Sequence, residues 1–386
     1  MLNTINIADY VKDGAVHGKI YTDRDIFKME IDKIFGETWV YVGHESEIAN
    51  PGDYKTTKIG SQPVIVTRSA DSKQINVVFN RCRHRGASVC QDECGNAHVL
   101  RCAYHGWTYS NSGKLLGAPF QDGYGEEFNR EEMGLLQVPK VDSYRGFIFA
   151  SLNEKVKPLT EHLGNAKPYI DFVADSGPEG IELSAGKHKY FLNANWKFQV
   201  ENTIDPYHLS FVHKTFFDIV SQRTGEKMKF AKMHKEEKVS DLGNGHSLYE
   251  LAGDLNIGAL PFNLIIFPNL ALLGSQVRVI QPVSVERTEV ALYPIMLKGA
   301  SKEVNTQRLR THEGFYGPAG FGSPDDVEVA FERVKEGLKA EGNEWLVISR
   351  GMNREQVDEN GIITANSSDE VSTRAIYKEW KRLMEA

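Results

Sequence analysis

A chain of 386 residues with 41% hydrophobic side chains is long enough for two domains and a sizeable core. Its 45 basic residues are dispersed and outnumbered by 52 acidic ones, which argues against a nucleic-acid footprint. No apolar run approaches the length of a membrane span, and Met1 to Tyr10 carries Asp9 and lacks a basic-then-apolar order, so a soluble cytoplasmic chain without a signal peptide is expected.

Along the chain, residues near Tyr10 to Ile34 read as a lead-in followed by a helix, with Ile26, Met29, Ile31 and Phe35 apolar. From Thr38 onward come short β-rich runs, Trp39–Gly43, Pro63–Thr67 and Ile75–Phe79, separated by Gly, Pro and Asp turn signals, as in a small antiparallel domain. Arg145–Leu152 reads as its closing strand, and Pro158 begins a helical connection.

Between these strands lie two cysteine–histidine pairs, Cys82-Arg83-His84 and Cys102-Ala103-Tyr104-His105. Each offers one thiolate and one imidazole from a short loop. A Rieske [2Fe–2S] centre needs this set, two cysteines on one iron and two histidines on the other. Two Cys and two His also suit tetrahedral zinc, but Cys-x-His spacing is unusual for zinc fingers, and zinc does not explain the flanking Arg85-Gly86 and Gly106-Trp107. Cys90 and Cys94, between the pairs, are expected to be free thiols in a reducing compartment.

The next dense stretch runs from Asn195 to His213 and includes Trp196-Lys197, Glu201-Asn202, Asp205, His208 and His213. A mononuclear non-haem iron takes two histidines and one carboxylate on one face, leaving positions open for O2 and substrate. His208 and His213 are too far apart for one face of a regular helix, so a widened turn such as a π-bulge is expected. Asp205, one turn before His208, can bond an imidazole nitrogen; it can equally be a helix cap before Pro206.

Farther on, Phe262–Leu273, Gln276–Val285 and Thr288–Leu297 read as successive antiparallel strands. Ser323-Pro324-Asp325-Asp326 is a good helix start, with a Ser cap, Pro at the first helical position and acids in the first turn. Two helices, roughly Pro324–Ala340 and Ser367–Glu385, bracket the C-terminal region.

These motifs together resemble the large (α) subunit of Rieske non-haem iron aromatic-ring-hydroxylating oxygenases. The likeness runs over nearly the whole chain, through both ligand loops, Trp196-Lys197, Glu201-Asn202, Asp205/His208/His213, Gly317-Pro318-Ala319-Gly320-Phe321 and Asp325-Asp326. It implies an α+β fold: a small all-β Rieske domain over 38–156, inserted into a larger catalytic domain (1–37 and 157–386) whose antiparallel sheet grips a long helix in the helix-grip, START-like manner. By the same likeness, Cys82, His84, Cys102 and His105 hold the cluster. His208, His213 and Asp326 hold Fe(II), with Asp325 as the competitor of Asp326. Asp205 reaches His105 of a neighbouring subunit in a trimer, α3 or α3β3 with a small β subunit.

The implied function is a terminal oxygenase acting on an aromatic substrate with O2, by dihydroxylation or monohydroxylation. A Rieske-type demethylase is the first alternative, and an electron carrier without oxygen chemistry a remoter one. The chain has no Gly-x-Gly-x-x-Gly after a strand, so NADH is expected to act only through a separate reductase, with or without a ferredoxin. The pocket is expected to include Asn202, Phe211, Val212, Leu264–Phe267 and Leu270–Leu273. Gly322 stands where some hydrocarbon dioxygenases carry a bulky aromatic. Ser323–Asp326 and Ile348-Ser349-Arg350-Gly351 resemble the aromatic-acid members, which points to a benzoate- or salicylate-like substrate. No basic residue can be assigned to a carboxylate from the sequence.

Overall fold

A computed structural model of the protein describes residues 6–225, 237–251, 259–317, 320, 322–342 and 344–386. The chain divides into two units, 35–159 and the remainder, 1–34 with 160–386.

The 35–159 unit is built from short antiparallel strands. Ile75–Phe79, Gln62–Arg68, Asp53–Ile59 and Cys94–Asn96 form one sheet in that order. Leu115–Gly117, Thr108–Ser110 and Val99–Arg101 form a second, and Lys140–Tyr144, Phe147–Ser151 and Val40–His44 a third. A core of Ile65, Val78, Val89, Leu100, Trp107, Tyr109, Leu115 and Leu135 packs around Cys82 and Cys102, so both thiols sit in the apolar interior.

In the larger unit, nine antiparallel strands make one sheet. Its order is His188–Leu192, Arg287–Pro294, Gln276–Ser284, Leu270–Leu273, Phe262–Ile266, His246–Glu250, Lys238–Gly243, Ile363–Asn366 and Gln356–Val357. The C-terminal helix Val371–Glu385 lies against Lys238–Gly243 and His246–Glu250. Its Ile376, Trp380, Leu383 and Met384 recur at helical spacing on the buried side. A shorter helix, Trp196–Thr203, packs on the strands Gln276–Ser284, Phe262–Ile266 and Leu270–Leu273.

Several elements depart from the sequence reading. Phe262–Leu273 is two strands, because Phe267-Pro268-Asn269 turns the chain into a hairpin pairing Ile266 with Leu270. The C-terminal helix begins at Val371, not Ser367; Asp369 instead binds Arg354 and accepts from the Asn366 N–H, holding 367–370 outside the helix. The Pro324 helix starts two residues earlier, at Gly322, so Ser323 lies inside the first turn, not at the cap. That helix then widens into a π segment over Asp326–Glu332 and closes with Arg333–Gly337, short of Ala340. The N-terminal stretch has two short strands, Val11–Lys12 and Ala15–His17, before its helices Lys19–Thr22 and Arg24–Glu30.

Candidate functional site

The two cysteine loops share one backbone frame. In the first, the Cys82 N–H donates to Ala87 O (2.8 Å) and the Gly86 N–H to Cys82 O (3.0 Å). In the second, the Cys102 N–H donates to Trp107 O (2.8 Å) and the Gly106 N–H to Cys102 O (3.0 Å). Each closing glycine has φ +73°, a backbone region that glycine enters without penalty. That explains the glycine in each flank as turn chemistry. Trp107 stacks on His84 across the loops, ring centroids 5.2 Å apart and planes 5° from parallel. The His84 and His105 rings approach to 4.5 Å. Cys82 and Cys102 are buried, His84 is partly buried, and His105 is exposed.

The donors of a single tetrahedral zinc lie within about 4.6 Å of one another. Among the described residues, two groups of three or more donors converge within 4.8 Å, and none of these four residues belongs to either. These four therefore do not converge as one tetrahedral set, and two thiolates with two imidazoles are the ligand set of a two-iron cluster. The His84 Nδ1, buried and without a hydrogen-bond partner, fits a ligand role. Cys90 and Cys94 form no disulfide, and burial pushes the Cys90 thiol up to about 11.

In the larger unit the Trp196–Thr203 helix is tied down by two polar networks. Lys197, fully buried, donates to Glu30 Oε1 (2.5 Å); Trp196 and Trp380 donate their indole N–H groups to the same carboxylate (2.9 and 2.7 Å). Tyr21 and Tyr377 both donate to Glu201 Oε1. Burial raises the Glu201 carboxyl to about 7, the two phenols opposing the rise. The Trp-Lys and Glu-Asn signature thus fastens this helix to the N-terminal and C-terminal helices.

From that anchored helix the chain delivers Asp205, His208 and His213. No π-bulge separates the histidines, contrary to the expectation from their spacing. His208 precedes a four-residue helix, Leu209–Val212, and His213 ends it and starts the next, Lys214–Thr224. A break between helices does what a bulge would have done, and the π turn lies opposite, at Asp326.

His208 Nε2 lies 3.5 Å from Asp326 Oδ1, and His213 Nε2 lies 3.1 Å from the same oxygen. The three donors fall within 4.8 Å of one another. Asp325 is not part of this group; its Oδ2 stands 3.5 Å from His213 Nδ1, on the other edge of the ring. Asp205 takes the matching place on His208, with Oδ2 3.3 Å from Nδ1. Its Oδ1 accepts the Tyr207 N–H (2.8 Å), so Asp205 caps a turn as well as contacting His208. Burial alone would lower the His208 pKa, but hydrogen bonds to Asp205 and Asp326 outweigh it and raise it to about 9. Burial would raise the Asp326 carboxyl, yet the two histidines hold it well below the usual range. The same clustering of two imidazoles and a buried carboxylate favours a cation among the three donors.

Of the expected pocket residues, Asn202 sits with its amide nitrogen 3.3 Å from His208 Nε2, and Val212 is partly buried. Phe211 departs from expectation: it is 71% exposed, its ring against Tyr207. It lies about 200° round the helix axis from His213, so a buried His213 turns it outward. Leu264–Phe267 and Leu270–Leu273 are buried throughout. Pro318, Ala319 and Phe321 of the Gly-Phe motif lie outside the described residues. Sequence reasoning passed over Tyr109, whose hydroxyl lies 3.2 Å from Cys82 Sγ, and Arg278, which is buried against the Tyr316 ring.

Comparison with known proteins places the chain in a family. Residues 38–142 match the Rieske [2Fe-2S] domain, and 181–386 match the ring hydroxylating alpha subunit (catalytic domain). The chain belongs to the ring-hydroxylating oxygenase α-subunit family. It is 34% identical to the 2-halobenzoate 1,2-dioxygenase large subunit of Burkholderia cepacia, over 89% of this chain and 83% of that protein. It is 37% identical to the toluate 1,2-dioxygenase subunit alpha of Pseudomonas putida, over 84% and 79%. A naphthalene 1,2-dioxygenase structure with indole in its active site superposes with a TM-score of 0.88 at 26% identity, covering 99% of this chain and 95% of that one. The α+β architecture and the Rieske cluster with a mononuclear iron are those of this family. The chain is accordingly a terminal oxygenase component, using O2 and electrons from a separate reductase on an aromatic substrate. Among the described residues, no helix is long and apolar enough to cross a membrane.

Proposed function

We propose that this terminal oxygenase hydroxylates an aromatic acid of the benzoate type. In this reading Cys82, Cys102, His84 and His105 hold the cluster, and His208, His213 and Asp326 hold the mononuclear iron. The convergence of two imidazole Nε2 atoms and one carboxylate oxygen within 4.8 Å carries the assignment of the iron site. The names of the relatives, 2-halobenzoate and toluate dioxygenases, support the acid.

When bound, the cluster supplies electrons one at a time and the iron supplies oxygen activation. The protein's part is to place and protect. Asp205 accepts the Nδ1–H of His208, fixing the tautomer that leaves Nε2 free as a donor. Asp325 Oδ2, 3.5 Å from His213 Nδ1, makes no hydrogen bond to it and acts on that ring through its charge. Leu264–Phe267 and Leu270–Leu273 keep water from the substrate ring. The domain limits we favour are 38–156 for the cluster and 1–37 with 157–386 for catalysis. The working unit is a trimer, α3 or α3β3, in which Asp205 reaches His105 of a neighbouring copy. It operates in the cytoplasm with a reductase, with or without a ferredoxin.

The test is product analysis. The purified chain is incubated with NADH, a generic reductase system and a panel of benzoates, salicylates and neutral aromatics. Oxygenated acids are expected, and none without the reductase. Turnover of neutral aromatics alone would overturn the acid assignment, and a product lacking only a methyl group would favour a demethylase.

A further inference from the structure

Arg278 lies on the strand Gln276–Ser284, is 3% exposed, and has no carboxylate partner among the described residues. Its Nε makes no hydrogen bond, and the guanidinium Cζ lies 5.6 Å from the centroid of the Tyr316 ring. Buried cations are ordinarily paired, as Lys197 is with Glu30. Gln276, two residues earlier and so on the same strand face, is fully buried with both amide atoms unpartnered. Facing Arg278 on the helix Lys302–Tyr316 are His312 and Tyr316, one turn apart, with rings 5.7 Å from each other. His312 is 1% exposed and neither ring nitrogen has a partner. Unsatisfied buried polar groups are uncommon, and three in one place ask for a ligand.

We propose that Arg278, with Gln276 beside it, binds the carboxylate of the aromatic substrate. Arg278 has no carboxylate partner among the described residues, and a guanidinium presents paired N–H groups that match a carboxylate. His312 adds no charge: burial pushes its pKa down to about 4, despite Glu313. Tyr190 and Tyr316 each sense both Arg278 and Asp326, so the cradle and the iron ligands share two neighbours. Tyr190 also bonds Ser323, on the helix that carries Asp326. A benzoate held by its carboxylate at Arg278 would therefore lie in the neighbourhood of the iron ligands. His188, His312 and Glu313 also converge within 4.8 Å, but His188 already bonds Glu313 at 2.6 Å and Arg278 acts on His312 against a second cation.

This inference rests on the aromatic-acid reading, and a paired titration distinguishes their failures. Benzoate and its neutral isostere benzamide are titrated calorimetrically into the iron-loaded enzyme, and kcat/KM is measured for both. The wild type should prefer benzoate, and Arg278→Met should reduce the benzoate-to-benzamide ratio by about 30-fold or more. A wild type that prefers benzoate and an Arg278→Met that keeps the preference would overturn the role of Arg278 and leave the acid reading intact. A wild type without preference for the acid would overturn both. Should Arg278→Met lose the native circular dichroism or the mononuclear iron, Arg278→Lys decides. Its ammonium makes no fork, so the ratio should still fall, and an unchanged ratio would refute the proposal.

Discussion

The two candidate metal sites differ in how they are made. The cluster loops are local: six residues each, closed by the same pair of backbone hydrogen bonds and the same left-handed glycine. The iron site is distributed. His208 and His213 come from a helix break, Asp326 from a distant π turn, and the helix that leads into the histidines is fastened by Glu30, Lys197, Glu201, Tyr21 and Tyr377. A local site fails when a ligand is lost, whereas a distributed one also fails when its supports give way.

The largest effects should come from the ligands, and they separate the sites. Cys82→Ser or Cys102→Ser should remove the visible and EPR signature of the cluster. His208→Ala, His213→Ala or Asp326→Ala should leave that signature and release the mononuclear iron, with turnover at background in every case. Asp325→Ala should keep some function, with iron affinity or activity falling about 10- to 100-fold, as for loss of a group that only orients a ligand. Iron and sulfide analysis beside the spectra checks each variant. An Asp325→Ala that loses all mononuclear iron while Asp326→Ala retains it would exchange their roles.

Next in size is Lys197→Met. It leaves Glu30 as an uncompensated buried charge, with two indole N–H groups as its remaining donors, and should cost about 3–5 kcal/mol. Denaturant unfolding measures the loss. Mononuclear iron should become easier to chelate in this variant well before the cluster signal fades. Equal sensitivity of both sites would contradict the view that this network serves the distributed one.

How much the sequence discloses follows the same division. The cluster loops were legible because ligands and turn residues are neighbours in the chain. For the iron site, the donors could be named but not their geometry. The spacing of His208 and His213 suggested one widened helix, whereas two short helices meet there. The choice between Asp325 and Asp326 depends on which carboxylate the π turn aims at Nε2, a tertiary fact. Phe211 was misplaced because an aromatic beside a ligand reads as a pocket wall until the buried face is known. Arg278 gave no signal, since one arginine in an apolar strand becomes informative only when its missing partner can be seen.

Asp205→Asn tests the second layer of the iron site. Asparagine can still accept the Tyr207 N–H and keep the turn, so folding, cluster and iron should persist. It lacks the carboxylate charge at His208 Nδ1. Cluster oxidation in a single turnover with substrate and O2 should slow by about 10- to 100-fold. A wild-type rate would reduce Asp205 to a turn cap.

The smallest effect should come from the matching layer of the cluster. The Tyr109 hydroxyl accepts the Arg83 N–H at 3.1 Å and lies 3.2 Å from Cys82 Sγ. With its oxygen lone pair engaged by Arg83, its proton is left for the sulfur. Burial, and then the bond to Cys82, hold the phenol well above its ordinary pKa, so the proton stays in place across the working range. A hydrogen bond to a cluster sulfur stabilises the more negative, reduced form and raises the potential. Among the described residues, Cys102 Sγ has no such partner, so Tyr109→Phe removes the interaction from one thiolate alone. The cluster should assemble with its normal absorbance, because the core around the ring is kept. Its reduction potential should fall, on the order of tens of millivolts. A redox titration followed by EPR reads the shift, and an unchanged potential would mean that the phenol only fills the core.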